Sequence, residues 1–280
     1  MAPASAPLPA VVIQPSRFGK PISFSELWTF RYLFAQMALR DVKVKYKQTW
    51  FGLVWVLLQP LGMLGIYTFL FKGVAQIDTG AIAYPVFVMP ALIIWFLFSR
   101  ALAEAGACLA GNVGLMSKVY FPRIMLPAAS MVGHLVDFAV SMILVVFLLV
   151  WYGHMPGLSL VFAPLFIVLA LALAFGLSLW LSALDAQIRD IRYILPFVLQ
   201  IWMFATPIVF PASAVPSSYR WLLDANPLTH VVNGFRWSLL GLGDPPGLIP
   251  LLVACLLAVI LIVTGASFFR VVERTMIDTI

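Results

Sequence analysis

The chain has 280 residues, of which 63% are apolar and only 10% charged, whereas a soluble domain is about half apolar and a quarter charged. Lipid is therefore its main solvent, and its length excludes a membrane domain fused to a complete ATPase domain, since a soluble domain needs about 100–200 residues of its own. The net charge of +6 collects at the ends of apolar runs, as the positive-inside rule requires, which argues against a nucleic-acid partner.

Residues 1–21 are rich in Pro and Ala, and no Lys or Arg precedes the short apolar AVVI. The charged n-region of a signal peptide is missing, so a disordered cytosolic tail is expected. Residues 22–47 read as an amphipathic interfacial helix. Ser23 and Glu26 have capping-box spacing, Ile22 and Leu27 fit a hydrophobic staple, and Leu27, Phe30, Phe34 and Met37 recur on one face. A spanning helix should not carry Arg40, Lys43, Lys45 and Lys47 in eight residues.

Six uncharged or nearly uncharged runs follow, at about 50–71, 84–108, 124–151, 158–184, 194–210 and 248–269. Each is near the ~20 residues that a helix needs to cross a bilayer, and none alternates as a barrel strand would. The expected fold is all-α and integral to the membrane, with a six-span domain over 48–274 and a cytosolic end at 275–280. With both termini inside, thirteen of the seventeen cations fall on the inner side. Three (Lys72, Arg220 and Arg236) fall outside, and Arg100 lies within the second span. That bias fixes the expected orientation.

Two connections carry further signal. The inner loop GNVGLMSKVYFPR (111–123) is short, partly apolar and cationic. The outer connection, 211–247, holds two apolar pieces too short to cross, punctuated by Pro216, Pro227, Pro245 and Pro246. Such pieces read as re-entrant or interfacial helices.

Candidate chemistry is sparse. Arg100 and Glu104 share one face of the second span as an i,i+4 pair, and His134 and Asp137 are three apart on the third. The first reads as a structural pair or a polar pathway, the second as a local pair or a proton relay. Gly241-Leu242-Gly243-Asp244 matches the GxGD pattern of intramembrane aspartyl proteases. However, Asp137 follows Val136 rather than the Tyr such enzymes use, and two prolines follow Asp244. There is no phosphate-binding G-x-x-x-x-G-K-[ST] loop and no G-x-S-x-G elbow. Cys108 and Cys255 lie in or beside different runs without zinc spacing, and both are expected as free buried thiols. Trp50, Trp151, Trp221 and Trp237 fit interfacial anchors, or alternatively platforms for sugar rings.

Three stretches taken in order are similar to the type-2 ABC transporter permeases that export O-antigen, capsule or teichoic acid: RDVKVKYKQTWFGLVWVLLQP (40–60), FPRIMLP (121–127) and NPLTHVVNGFRWSLLG (226–241). The resemblance covers about 26–274. It implies a half-channel that pairs with a second copy of itself and with two copies of a cytosolic ABC ATPase. ATP and Mg would sit on that partner, with no cofactor or metal on this chain. It also implies a coupling helix over about 112–123, with Asn112, Lys118, Tyr120, Phe121 and Arg123 facing the ATPase. Gate helices would cover about 217–240, with Trp221, Asn226, Pro227, His230, Asn233, Arg236 and Trp237 near the outer mouth. The first and fifth spans would line the conduit, and the interfacial helix would border its cytosolic entrance. The implied cargo is a lipid-linked polysaccharide crossing a bacterial inner membrane. A drug or other-lipid permease is the alternative, and a proton-coupled carrier lies further off.

Overall fold

The computed structural model describes residues 28–47, 52–80, 82–116, 118–188, 190–241 and 245–276, with backbone alone for 274–276. The Ser23–Glu26 capping box, Trp50, Arg189 and Asp244 lie outside the described residues. The helices are α1 (Arg31–Lys47), α2 (Gly52–Tyr67), α3 (Tyr84–Gly106), α4 (Cys108–Gly111), α5 (Val113–Met116) and α6 (Met125–Trp151). They continue with α7 (Ala163–Gln187), α8 (Ile191–Phe204), α9 (Arg220–Asp224), α10 (Pro227–Leu240) and α11 (Leu248–Met276). No strand occurs among the described residues. The protein is an all-α membrane protein.

Five helical stretches are long and apolar enough to cross a bilayer: Leu53–Val74, Tyr84–Gly106, Met125–Trp151, Leu158–Gln187 and Leu248–Glu273. The first includes wider π-helical turns over Thr68–Val74. α8 is apolar but has 14 residues, about 21 Å at 1.5 Å per residue against about 30 Å of hydrocarbon. The fifth apolar run was expected to stay helical to 210, but it ends at Phe204. Pro207 cannot donate to a continuing helix and disfavours helical geometry in the residue before it. The carbonyls of Pro207 and Ile208, just past the helix, are taken up elsewhere, as described below.

α3 is the centre of the bundle, packing against α6 and α7 lengthwise and against α10 near its start. Of its apolar window 78% is buried, against 17% for α11 at the periphery. α7 and α11 meet almost backbone to backbone. A Cβ on Gly176 would lie 2.7 Å from Leu261 Cβ and 2.9 Å from Ile262 N, and one on Gly265 would lie 2.8 Å from Gly176 O. Small residues allow such approach where lipid supplies no hydrophobic drive for helix pairing. A second apolar cluster, at the other end of α3 from Tyr84, joins Met37 and Ala38 of α1 to Cys108, Leu109, Phe121, Leu126, Phe269 and Val272.

Candidate functional site

The four ionisable residues singled out within the spans form one network rather than two local pairs, and α1 completes it. Glu104 Oε2 accepts from His134 Nε2 at 2.7 Å, bridging α3 and α6. Lys45 Nζ donates to Asp137 Oδ2 at 2.6 Å and lies 3.4 Å from His134 Nδ1. The Tyr46 hydroxyl donates to Asp137 Oδ1. Arg100 Nη1 lies 3.8 Å from Asp137 Oδ2, while its Nη2 donates to Gln59 Oε1 of α2 at 2.5 Å. The i,i+4 pair expected of Arg100 and Glu104 is therefore replaced by bonds to other helices. The expected contact of His134 with Asp137 persists at 3.4 Å. The physical reason is the buried carboxylate, 5% exposed, which needs several donors when desolvated. Burial, and the carboxylate that it donates to, push the Tyr46 phenol above its ordinary range, so it stays a donor.

Arg100, His134 and Asp137 also line a partly open cleft between α3 and α6, with Phe96, Phe138 and Ser141. The Arg100 guanidinium packs over the Phe96 ring at 4.8 Å. Lys45, Tyr46 and Gln59 were missed as members by reading the sequence. The available signal was charge balance, because a buried aspartate in a span calls for a cation, and the nearest unassigned ones sit just before the first span.

The segment expected to contact an ATPase, 112–123, follows α4 and contains α5, and 119–122 lie outside any helix or strand. Asn112 sits between α4 and α5. Its Nδ2 donates to Cys108 O at 2.9 Å and its Oδ1 accepts from Arg40 Nη2 at 2.9 Å. Lys118 and Tyr120 are exposed, Phe121 is buried, and Arg123 pairs with Glu273 of α11 at 3.6 Å. Of the expected coupling residues, Lys118 and Tyr120 thus offer an accessible face and Phe121 and Arg123 anchor it. Cys108 is buried and Cys255 half-buried, and both are free thiols.

The sequence NPLTHVVNGFRWSLLG builds α10 from local rules. Asn226 caps it, with Oδ1 accepting from Leu228 N at 3.1 Å, and Pro227 takes the first turn. Gly241 ends it at φ 63°, a left-handed conformation that suits glycine. Asn226 also bonds outward, to Trp202 Nε1 at 3.1 Å and Thr206 Oγ1 at 2.9 Å. Arg236 is buried and donates to the carbonyls of Phe87 at 3.0 Å, Pro207 at 2.9 Å and Ile208 at 3.1 Å. Asn233 Oδ1 accepts from Arg236 Nη1 at 3.0 Å, and His230 Nε2 lies 3.0 Å from Asp224 O. Gly234 leaves room for the Phe166 ring. Trp237 packs on Phe162 with ring centroids 5.8 Å apart, whereas Trp221 is 63% exposed. The expected gate residues thus split: Asn226 and Arg236 staple α10 to α3 and the end of α8, and Trp221 alone of the two tryptophans stands free.

Residues 32–240 match the model of the ABC-2 type transporter family. An O-antigen export system permease protein RfbA of Myxococcus xanthus is 26% identical over 247 residues, covering 88% of this chain and 94% of that protein. The protein of the same name from Klebsiella pneumoniae is 26% identical over 219 residues, covering 77% of this chain and 84% of its own. The polysialic acid transport protein KpsM of Escherichia coli is 26% identical over 248 residues, covering 86% and 93%. The family match spans the very stretches that form the polar network, the α4–α5 segment and the α10 staple, and the chain belongs to the ABC-2 type transporter family.

Proposed function

We propose that the chain is the permease subunit of an ATP-driven exporter that moves a lipid-linked polysaccharide, of O-antigen or capsule type, across a bacterial inner membrane. The observation that carries this reading is near end-to-end similarity to relatives named for O-antigen export and polysialic acid transport. The chain's chemistry is consistent with it. A long polar polymer needs a continuous path rather than one occluded midplane site, and few ionisable groups are buried here.

Energy would come from a partner. Two copies of the chain would pair, each bound by an ABC ATPase that carries ATP and Mg, with the exposed face of Lys118 and Tyr120 meeting that partner. α8 would complete a sixth crossing, and both termini would lie in the cytoplasm. A conformational step driven by ATP must reach the membrane through that cytosolic contact.

The test is a gene deletion with surface and intracellular glycans measured separately. Loss of surface polymer with lipid-linked polymer trapped inside is the expected result and names the cargo. Unchanged surface glycan overturns the reading and moves the weight to a permease for a drug or another lipid.

A further inference from the structure

α1 is bonded to the bundle at two levels. At the first, Arg40 Nη2 holds Asn112 Oδ1 at 2.9 Å, and Met37 and Ala38 in the preceding turn are buried with Cys108, Leu109 and Phe121. These contacts join the helix to the α4–α5 junction. At the second level, five residues beyond Arg40, Lys45 and Tyr46 each donate to a different oxygen of Asp137. Asp137 is twelve residues along α6 from Met125, about 18 Å at the helical rise. α1 packs along this stretch of α6.

A continuous helix with one bonded contact at the α4–α5 junction and another inside the bundle does not let the two shift independently. A displacement imposed at the first must be absorbed by the second or by breaking it. Coupling of this kind requires a rigid element with two discrete arrangements. In the structure Lys45 and Tyr46 hold Asp137, and a second arrangement in which α1 withdraws would leave it to His134 and Arg100, its partners on the cleft.

We propose that α1 is a strut: it carries displacement of the α4–α5 junction to the Asp137 carboxylate, and so sets whether Lys45 and Tyr46 stay bonded to the carboxylate that lines the cleft between α3 and α6. Its use in transport rests on the reading of that junction as the ATPase dock. The mechanical claim does not. Asp137 is then a positioning residue, and two of the four cations before the first span divide the work. Arg40 reads the junction and Lys45 holds the latch.

The strut is tested in the full-length chain in lipid nanodiscs, with Cys255→Ala and a nitroxide on Val44→Cys. Val44 is exposed, one residue before Lys45, and the remaining thiol, Cys108, is buried. Asn112→Ala and Tyr46→Phe are each expected to raise label mobility severalfold, and Asp137→Asn to raise it further. Mobility unchanged by Asn112→Ala overturns the strut, because the junction then transmits nothing. Mobility unchanged by both Tyr46→Phe, which removes a single hydroxyl, and Asp137→Asn overturns the latch. In cells, Tyr46→Phe is expected to keep wild-type abundance and ATP hydrolysis by the partner while surface polymer falls severalfold. Wild-type export with a loosened α1 shows that the latch is not used in transport. A deletion that leaves surface glycan unchanged refutes the proposed function and leaves the spin-label result to decide the strut.

Discussion

Arg236 shows how much one side chain can organise. Its planar fork satisfies three main-chain carbonyls from two separate segments, with its charge packed over the Phe87 ring at 3.8 Å. Lysine keeps the charge but not the fork. Arg236→Lys therefore leaves carbonyls unpaired at about 1–3 kcal/mol each, and a lower Tm of the detergent-solubilised chain is expected. An unchanged Tm would mean that water reaches those oxygens. Gly234 makes the complementary point by absence. A Cβ there would lie 2.0 Å from Phe166 Cε1, so Gly234→Ala is expected to cost about 1–3 kcal/mol through overpacking. Phe166→Leu in the same chain should recover part of the loss. Failure to recover it in thermal melts would place the strain elsewhere.

Whole elements depend on few such residues. α10 begins where Asn226 caps it and is tied at that cap to Trp202 and Thr206 at the end of α8. Asn226→Ala removes the cap, worth about 0.5–2 kcal/mol, together with the tie. Faster amide exchange in the first turn of α10 and in 203–206 is the expected signature. Faster exchange in α10 alone would show that the two elements move independently. In the α4–α5 segment and the stretch after it, Lys118 is exposed while Arg123 pairs with Glu273. Charge reversal at both is expected to leave membrane insertion and ATP hydrolysis intact and to abolish export. Normal export in that variant would remove the segment from the coupling path.

At the scale of the molecule, the two tryptophans near α10 separate guidance from stability. Trp221 is exposed and Trp237 is packed on Phe162. Trp221→Ala is expected to reduce export without changing Tm, and Trp237→Ala to lower Tm by itself. Wild-type export for Trp221→Ala would leave an interfacial anchor and nothing more. The sequence by itself determined the solvent class, the positions of the long apolar helices and both ends of α10. Desolvating about 20 residues, capping with Asn226 and turning at Gly241 are local acts whose cost is set within a few neighbours. It also placed Phe30, Phe34 and Met37 on one helical face, but as the face of an interfacial helix, whereas in the structure they pack on or lie buried in the second apolar cluster. What only the tertiary structure decided was the choice of partner. Spacing offered Arg100 to Glu104 and His134 to Asp137, because i,i+3 and i,i+4 are the only neighbours that a single helix can show. The actual partners depend on how α1, α3 and α6 are rotated against one another. The same holds for α8, whose apolar run continues past the point where it stops. It stops at Phe204 ahead of Pro207, and Arg236, thirty-two residues after Phe204, takes up the carbonyls of Pro207 and Ile208 past its end.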